Sequence, residues 1–356
     1  MKHSDRSRRQ AWLRRAGLAV LLLAAGGVRL YLYLRGAESI PVTTDEALTV
    51  LQSVEVRSGA WPLLLWSQPY MFPVEVYWMA PFANVLPRTA FGMRALVFAE
   101  GLVYAALSVL VLKKMGAWRQ VWPALLVVLF PSVYLLMNQT AYSLPHYNSA
   151  FILVLGCLWL VLCAGELRPG GRGIATAVAA GALGGLAFSN SVLSLTFLAP
   201  LGVVALWNAA DRRRWKQIAG YAAGAGAGLI PYVAAVWRHP GAHASVQGRF
   251  GIVEAMQRLW NPALARTLPV AFGFRPAVFS DSREKIEWGL WGYRIFPYLF
   301  CAIIAGAVAV AVLRAARRLK AGEKPVLGGT EWAIGVTLCG IALFALPGAV
   351  AGDAGP

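Results

Sequence analysis

The amino-acid sequence predicts an all-α polytopic membrane protein with about nine transmembrane helices, and three observations lead to this. Of its 356 residues, 58% are hydrophobic and 14% charged, whereas soluble domains are roughly half apolar and a quarter charged. The apolar residues gather in runs of roughly 17–23, long enough for a helix to cross a ~30 Å hydrocarbon core. The net charge of +17 is concentrated in every second connection between these runs, as the positive-inside rule expects.

The first span follows a cytoplasmic basic tail, residues 1–15. Arg29 interrupts this run and no clean cleavage site follows, so we expect a retained span rather than a signal peptide. The membrane domain covers residues 16–350, and residues 351–356 form a tail that fits either a short form or a shortened chain. The predicted spans are, in order, 16–34, 91–112, 121–138, 147–164, 174–188, 192–207, 217–236, 293–313 and 332–350.

Two long segments between the spans are predicted to face outward. The first, 35–90, should hold an amphipathic helix from Asp45 and a short apolar helix around 74–86 that lies at the interface. The second, 237–292, is rich in Trp, Arg and Pro and suits a surface loop with short helices. The fifth and sixth spans are separated only by 189–191, which allows a helical hairpin or one broken span.

Several classes of function lose support at this stage. The alternation of basic connections explains the positive charge without nucleic acid. The cysteines all lie inside apolar runs, with no CxxC or Cys/His cluster for zinc. We find no phosphate loop, dinucleotide fingerprint, HExxH or GxSxG motif in a usable context. The glycines of "GALGG" (181–185) and "GAGAG" (224–228) are expected to permit close helix contact.

The acid pair Asp45–Glu46 lies at the start of the first outward helix. Thr43 followed three residues later by Glu46 predicts a capping box, and acids in a first helical turn also match the helix dipole. One acid is enough for the cap, so Asp45 has no assigned role. It could act as a general base on a hydroxyl, and two adjacent acids alone make a weak metal site.

Other ionisable residues lie near or inside predicted spans. Glu75 is either an interfacial acid that reaches water or a functional carboxylate among apolar neighbours. Arg29 and Glu100 lie within spans and Arg94 lies at the start of one, where structural ion pairs and functional roles are both open. Arg29, near the outward end of its span, could snorkel to the surface or reach a phosphate. His146, in the outward turn 139–146, is either a satisfied polar residue or a catalyst.

This arrangement resembles the C-type (GT-C fold) membrane glycosyltransferases, in particular bacterial protein O-mannosyltransferases and aminoarabinose transferases. The stretch "TTDEALTVLQSVEVRSGAWPLLLWSQPYMFPVEVYWMAPFANVLPRTAFGMR" is similar to that family's first loop along its length. It holds the acid pair, a helix ending near Gly59, a Gln-Pro-Tyr turn with Tyr70, a Glu-bearing apolar helix and an Arg at the next span. Later segments up to His239 are similar but less specific.

The resemblance implies transfer of a sugar from a polyprenyl-phosphate donor to a lipid, glycan or protein acceptor at the outer face of the cytoplasmic membrane. Asp45 would be the base, and Glu46 would position the loop or assist. The resemblance also implies a group of substrate-binding residues, with the arginines near the lipid phosphate: Glu75, Arg94, Arg29, His146 and Tyr70. No cofactor is expected. His146 stands where some relatives carry an acid, so a second catalytic acid is not indicated, and a divalent metal is possible but not indicated.

Two further hypotheses remain beside the glycosyltransferase. A lipid or solute transporter requires paired charges deep within the spans, where only Glu100 clearly qualifies. A family member without activity would bind a lipid carrier and perform no chemistry. Glycosyl transfer is the main prediction because the acids cluster at the interface, where the reactive carbon of a lipid-linked sugar would lie.

Overall fold

A computed structural model describes residues 2–66, 68, 71–83, 85, 89–115, 129, 136, 139–140, 147–167, 170–211, 214–239, 313 and 317. These residues form helices and connecting turns, and no β-strand occurs among them. The eight α-helices of this part are α1 (Lys2–Gly36), α2 (Thr44–Arg57), α3 (Val74–Met79), α4 (Ala90–Lys114), α5 (Tyr147–Glu166), α6 (Gly171–Asn190), α7 (Leu195–Asp211) and α8 (Trp215–Arg238).

Five of the described helices are long and apolar enough to cross a membrane, and the protein is therefore an α-helical polytopic membrane protein. They are Arg15–Gly36, Ala90–Lys114, Tyr147–Glu166, Gly171–Asn190 and Trp215–Arg238. They match five predicted spans, while α7, at the sixth, is apolar but only 17 residues long. The predicted spans 121–138, 293–313 and 332–350 lie outside the described residues, apart from isolated positions, as does the loop 237–292 beyond His239.

The bundle has two distinct ends. At one, the peptide N–H of Phe72 donates to the carbonyl of Ser189 at 2.9 Å, which fixes the first loop to the end of α6. We call this the loop end. At the other, Lys114 pairs with Glu166, and Arg214 donates to the last carbonyls of α5. We call this the basic end.

Helix α8 shows how the bundle fits a bilayer. Trp215 and Trp237 lie near its two ends and are strongly exposed, about 33 Å apart at 1.5 Å per residue. That distance is close to the thickness of the hydrocarbon core, and tryptophan favours the two membrane–water interfaces. The positions of the indoles are those of an interfacial belt around a spanning helix.

Close packing of α6 against α8 depends on glycine, as the sequence predicts. A Cβ built on Gly185 would lie 2.3 Å from the carbonyl oxygen of Ala225, and one on Gly228 would lie 2.2 Å from that of Ala182. Gly181 and Gly224 are equally tight. The hydroxyl of Ser189 also donates to the carbonyl of Gly228 at 2.9 Å. The backbones approach more closely than any larger residue would allow.

The chain reverses between α6 and α7, which decides between the two interpretations of residues 189–191. After Asn190 come Ser191 and a 3₁₀ turn over Val192–Ser194. Ala180 of α6 then packs in one cluster with Leu201 and Ala205 of α7. The segment is therefore a helical hairpin rather than one broken span.

The first loop is compact and docked on the bundle. Helix α2 begins at Thr44, one residue before the predicted Asp45, and Gly59, with φ +98°, follows its end. The interfacial helix is shorter than predicted, with α3 followed by a 3₁₀ turn over Ala80–Phe82. Val74 of α3 packs against Leu153, Val154 and Ala187 of α5 and α6. The Tyr77 hydroxyl donates to the carbonyl of Pro62 at 2.7 Å, and burial raises the pKa of this phenol.

Candidate functional site

The acid pair begins α2 in the predicted capping box, which the structure confirms. The peptide N–H of Glu46 donates to Thr43 Oγ1 at 3.3 Å, and the peptide N–H of Thr43 donates to Glu46 Oε2 at 3.0 Å. Two backbone donors that the first turn would leave unsatisfied thus acquire partners. Glu46 is consequently part of the helix start.

Arg94 of α4 holds the same carboxylate. Its Nε donates to Glu46 Oε1 at 3.0 Å and its Nη2 to Glu46 Oε2 at 2.8 Å, a bidentate pair in which both side chains are buried. Bidentate pairing of this kind is the strongest charge-assisted contact a carboxylate forms with a side chain.

The remaining donors of Arg94 reach the chain that joins α1 to α2. Nη1 donates to the carbonyls of Ala37 and Ile40, both at 2.8 Å, and Nη2 donates to that of Pro41 at 3.1 Å. A guanidinium has five N–H donors, and all five are used. The expectation that Arg94 faces a lipid phosphate is therefore corrected in this arrangement: the residue fixes the loop and has no donor left for a ligand.

Asp45 differs sharply from its neighbour. Its side chain is half-buried, and within the described part of the chain its carboxylate makes no hydrogen bond or ion pair. Its backbone carbonyl accepts from Thr49 Oγ1 at 2.9 Å, one turn along α2. In the acid pair, the carboxylate of Glu46 is therefore held by structural contacts, whereas that of Asp45 is available to a ligand.

The buried face of α2 is polar, which the prediction of an ordinary amphipathic helix did not anticipate. Its buried residues are Glu46, Thr49, Gln52 and Ser53. Gln52 is fully buried and its Nε2 donates to the carbonyl of Leu64 at 2.7 Å. Burial of polar side chains is costly unless they are hydrogen-bonded. This buried face of α2 lies next to Glu75, the second buried acid of the loop.

That second group is built around Glu75 of α3, which is buried. Its Oε1 accepts from Ser149 Oγ at 2.9 Å, and Ser149 Oγ accepts from Asn190 Nδ2 at 2.9 Å. Thr49, Glu75 and Asn190 also line one small cavity of about 10 Å³, which is room for a single water. Glu75 is therefore inside the bundle, and the alternative of an acid reaching into water is wrong.

Glu100 of α4 joins this group, a position that no sequence pattern predicted. It forms a side-chain hydrogen bond with Asn148, and its charge interacts with that of Glu75. The sequence signal was an acid inside an apolar run, but its hydrogen-bond partner Asn148 lies on a different helix, far along the chain. We call Glu75, Glu100, Asn148, Ser149 and Asn190 the buried carboxylate cluster.

Arg29 lies elsewhere. It is fully buried, and its Nη1 donates to the carbonyl of Leu129 at 2.6 Å while its Nη2 donates to Gln139 Oε1 at 3.3 Å. A buried guanidinium does not snorkel, so that expectation is wrong, and the arginine instead joins α1 to the segment containing Leu129 and Gln139. Tyr70 and His146 lie outside the described residues.

In the part of the chain that the structure describes, no group of three or more His, Cys, Asp or Glu side chains could hold a metal ion. The two acids of the buried carboxylate cluster therefore lack a third ligand of these types among the described residues.

Fold and site together define a helical membrane protein with a docked polar loop at one end. Comparison with protein-family models, with curated proteins and with solved structures finds no match.

Proposed function

We propose that the protein is an integral-membrane glycosyltransferase that uses a polyprenyl-phosphate-linked sugar. The observation that carries the proposal is the division within the acid pair. Glu46 is held by Thr43 and Arg94, and Asp45 stays half-buried at the loop end. The helix cap requires only the carboxylate of Glu46. A general base must be held in a fixed position, and the adjacent Asp45 is held so by the rigid start of the helix.

In this proposal Asp45 removes the proton from the acceptor hydroxyl. The hydroxyl oxygen bonds to the anomeric carbon as the bond from that carbon to the phosphate oxygen breaks, and the electron pair leaves with the polyprenyl phosphate. The proposal includes about nine spans, a cytoplasmic N-terminus and a loop end that faces outward. It takes the acceptor as a lipid, glycan or protein and requires no nucleotide site.

The negative charge that develops on the phosphate needs a nearby cation. Arg94 and Arg29 have their donors directed into the protein, so the proposal assigns this contact to neither. Arg35 lies in the last turn of α1 at the loop end and is exposed. It is the first cation to test, by Arg35→Gln, where a raised KM for the donor is expected.

The decisive experiment measures transfer from radiolabelled polyprenyl-phosphate sugars in membranes that contain the native protein or Asp45→Asn. We expect the variant to insert normally and to lose roughly 100-fold or more of the transfer rate, the usual contribution of a general base. Glu55→Gln, an exposed acid on the same helix, is the matched control and should retain activity. Full transfer by Asp45→Asn would refute the assignment of the base.

A transporter is the second candidate, and a specific observation favours it. Glu75 of the docked loop lies close enough to Glu100 of α4 for their charges to interact, and a proton-coupled carrier uses paired acids of this kind. If no donor supports transfer by the inserted native protein, solute uptake that depends on a proton gradient should be assayed with Glu100→Gln. Loss of uptake in that variant would favour the carrier, and a protein inactive in both assays fits a relative that only binds lipid.

A further inference from the structure

An apolar groove opens among α5, α6, α7 and α8, and none of its lining residues belongs to the buried carboxylate cluster. Its volume is about 450 Å³. Cys157, Leu198, Leu201 and Tyr221 line it together with further small and aliphatic residues. Along α8 it extends from Ile218 to Leu229, which is about 16 Å at 1.5 Å per residue. That length is close to one leaflet of a ~30 Å hydrocarbon core.

The groove ends in a polar pocket at the basic end. A small cavity of about 10 Å³ shares Val161, Ala205 and Tyr221 with the groove and is also lined by Arg214 and Gln217. Its size admits one oxygen-sized group. The groove therefore joins a hydrocarbon-lined channel to a site for a single polar atom.

This pocket has donors without acceptors in the described part of the chain. Gln217 is 4% exposed, and its Nε2 has no hydrogen-bond partner there. Arg214 Nη1 donates to the carbonyls of Ala164 and Gly165 at 3.2 and 3.3 Å, while its Nε and Nη2 have no described partner. Lys216 beside them is exposed. A buried donor without an acceptor is costly, so these donors point to an acceptor supplied by a ligand.

We propose that this groove is a binding site for one anionic diacyl phospholipid of the leaflet at the basic end. One acyl chain fills the groove, because hydrocarbon is the surrounding medium at that depth. The phosphate lies at the mouth of the small cavity, where one of its oxygens accepts from Gln217 and the others from Arg214. Arginine is suited to phosphate by the geometry of its donors. The inference does not depend on the proposed glycosyl transfer.

Glycine positions allow the groove to be blocked without disturbing the helix contacts. A Cβ on Gly202, which lines the groove, would meet nothing within 4 Å, and the same holds for Gly226 of α8, which does not line it. Gly202→Leu should fill the groove, and Gly226→Leu is the matched control. Arg214→Gln and Gln217→Leu remove the headgroup contacts, with Lys216→Gln as a control for charge alone.

The protein is purified in mild detergent, offered phosphatidylglycerol or phosphatidylcholine, and examined by native mass spectrometry with lipid identification. We expect one retained phosphatidylglycerol and weaker retention of phosphatidylcholine. Gly202→Leu should lower occupancy at least fivefold, and Arg214→Gln should abolish the preference for the anionic lipid. Gly226→Leu and Lys216→Gln should match the native protein, and unchanged thermal unfolding confirms that each variant folds.

Equal occupancy in Gly202→Leu and Gly226→Leu would overturn the proposal, as would equal retention of the two phospholipids by the native protein. Recovery of a polyprenyl phosphate in place of a diacyl lipid would overturn the assignment of the occupant. If the native protein retains no lipid and Gly202→Leu unfolds, the groove is filled by protein rather than by lipid, and the proposal is wrong. Should Gly202→Leu fail to fold, Arg214→Gln alone decides, because its effect on lipid preference requires only the headgroup site.

Discussion

Glu46 and Arg94 form a buried bidentate ion pair, and its burial makes it sensitive to any change. Removing one partner of a buried ion pair leaves an uncompensated charge, which typically costs about 3–5 kcal/mol. Glu46→Gln keeps the shape but loses the charge and the bidentate acceptor. We expect it to lower the free energy of unfolding by about 3 kcal/mol, measured by thermal or denaturant unfolding in detergent.

Asp45→Asn is the internal comparison, because it alters the adjacent acid. That side chain makes no hydrogen bond within the described part of the chain, so the expected loss is only the favourable interaction of a first-turn charge with the helix dipole, at most about 1 kcal/mol. Together the two variants separate stability from activity within one dipeptide. A comparable loss of stability in Asp45→Asn would show that both acids are structural, and the case for a base would then fail.

Arg94→Lys tests whether the positive charge of Arg94 is by itself enough to hold the first loop in place. Lysine carries a point charge with three donors, whereas Arg94 uses five donors to join the carboxylate with the carbonyls of Ala37, Ile40 and Pro41. We therefore expect no rescue and a loss of stability of about 3 kcal/mol, close to that of Glu46→Gln. Near-native unfolding of Arg94→Lys would mean that the charge, rather than the donor geometry, holds the loop.

Among the helices, the contact between α6 and α8 gives a prediction with a built-in control. Gly185→Ala places a methyl group 2.3 Å from a backbone oxygen, so the helices must separate, and overpacking typically costs about 1–3 kcal/mol. Gly226→Ala, on the open face of α8, should be neutral or stabilising by up to about 1 kcal/mol. Thermal unfolding of both variants checks this, and equal behaviour would contradict the close approach.

Local patterns predicted the helices well and the site only in part. Apolar length placed α1, α4, α5, α6 and α8, and the spacing of Thr43 and Glu46 predicted their reciprocal bonds, because both signals act within a few residues. The contact between Glu46 and Arg94 spans 48 residues. A contact between residues so far apart leaves no local sequence pattern. The partner of Arg94 could therefore not be predicted, and the arginine was expected to face a ligand.

The same limit applies to the buried carboxylate cluster. Composition marked Glu75 and Glu100 as unusual, but only the packing of α3 against α5 and α6 brings Glu75 to Ser149 and Asn190. Arg29 shows the opposite case, since a position near a span end suggested the surface and the fold turned the side chain inward. Direction around a helix axis depends on partners that a single segment does not reveal.

For the molecule as a whole, the two ends carry different chemistry and must face opposite sides of a membrane. The loop end holds Asp45 and the docked loop, and the basic end holds Lys114 and Arg214. Basic residues favour the cytoplasmic side, so we expect Ser58→Cys, in the loop, to react from outside intact cells with a membrane-impermeant maleimide. Lys216→Cys, at the basic end, should react only after permeabilisation, and both positions are exposed.

The labelling experiment also constrains the chemistry. Lipid-linked sugars used outside the cell present their reactive carbon at the outer face, so Asp45 can act on them only if the loop end lies there. Labelling of both cysteines from the same side would contradict the assignment of the loop end and the basic end to opposite sides of the membrane. Labelling of Lys216→Cys alone from outside would show that the orientation is the reverse of the one expected. Asp45 would then face the cytoplasm, and the basis for transfer at the outer face would be lost. The native protein, in which Cys157 is buried, gives the background.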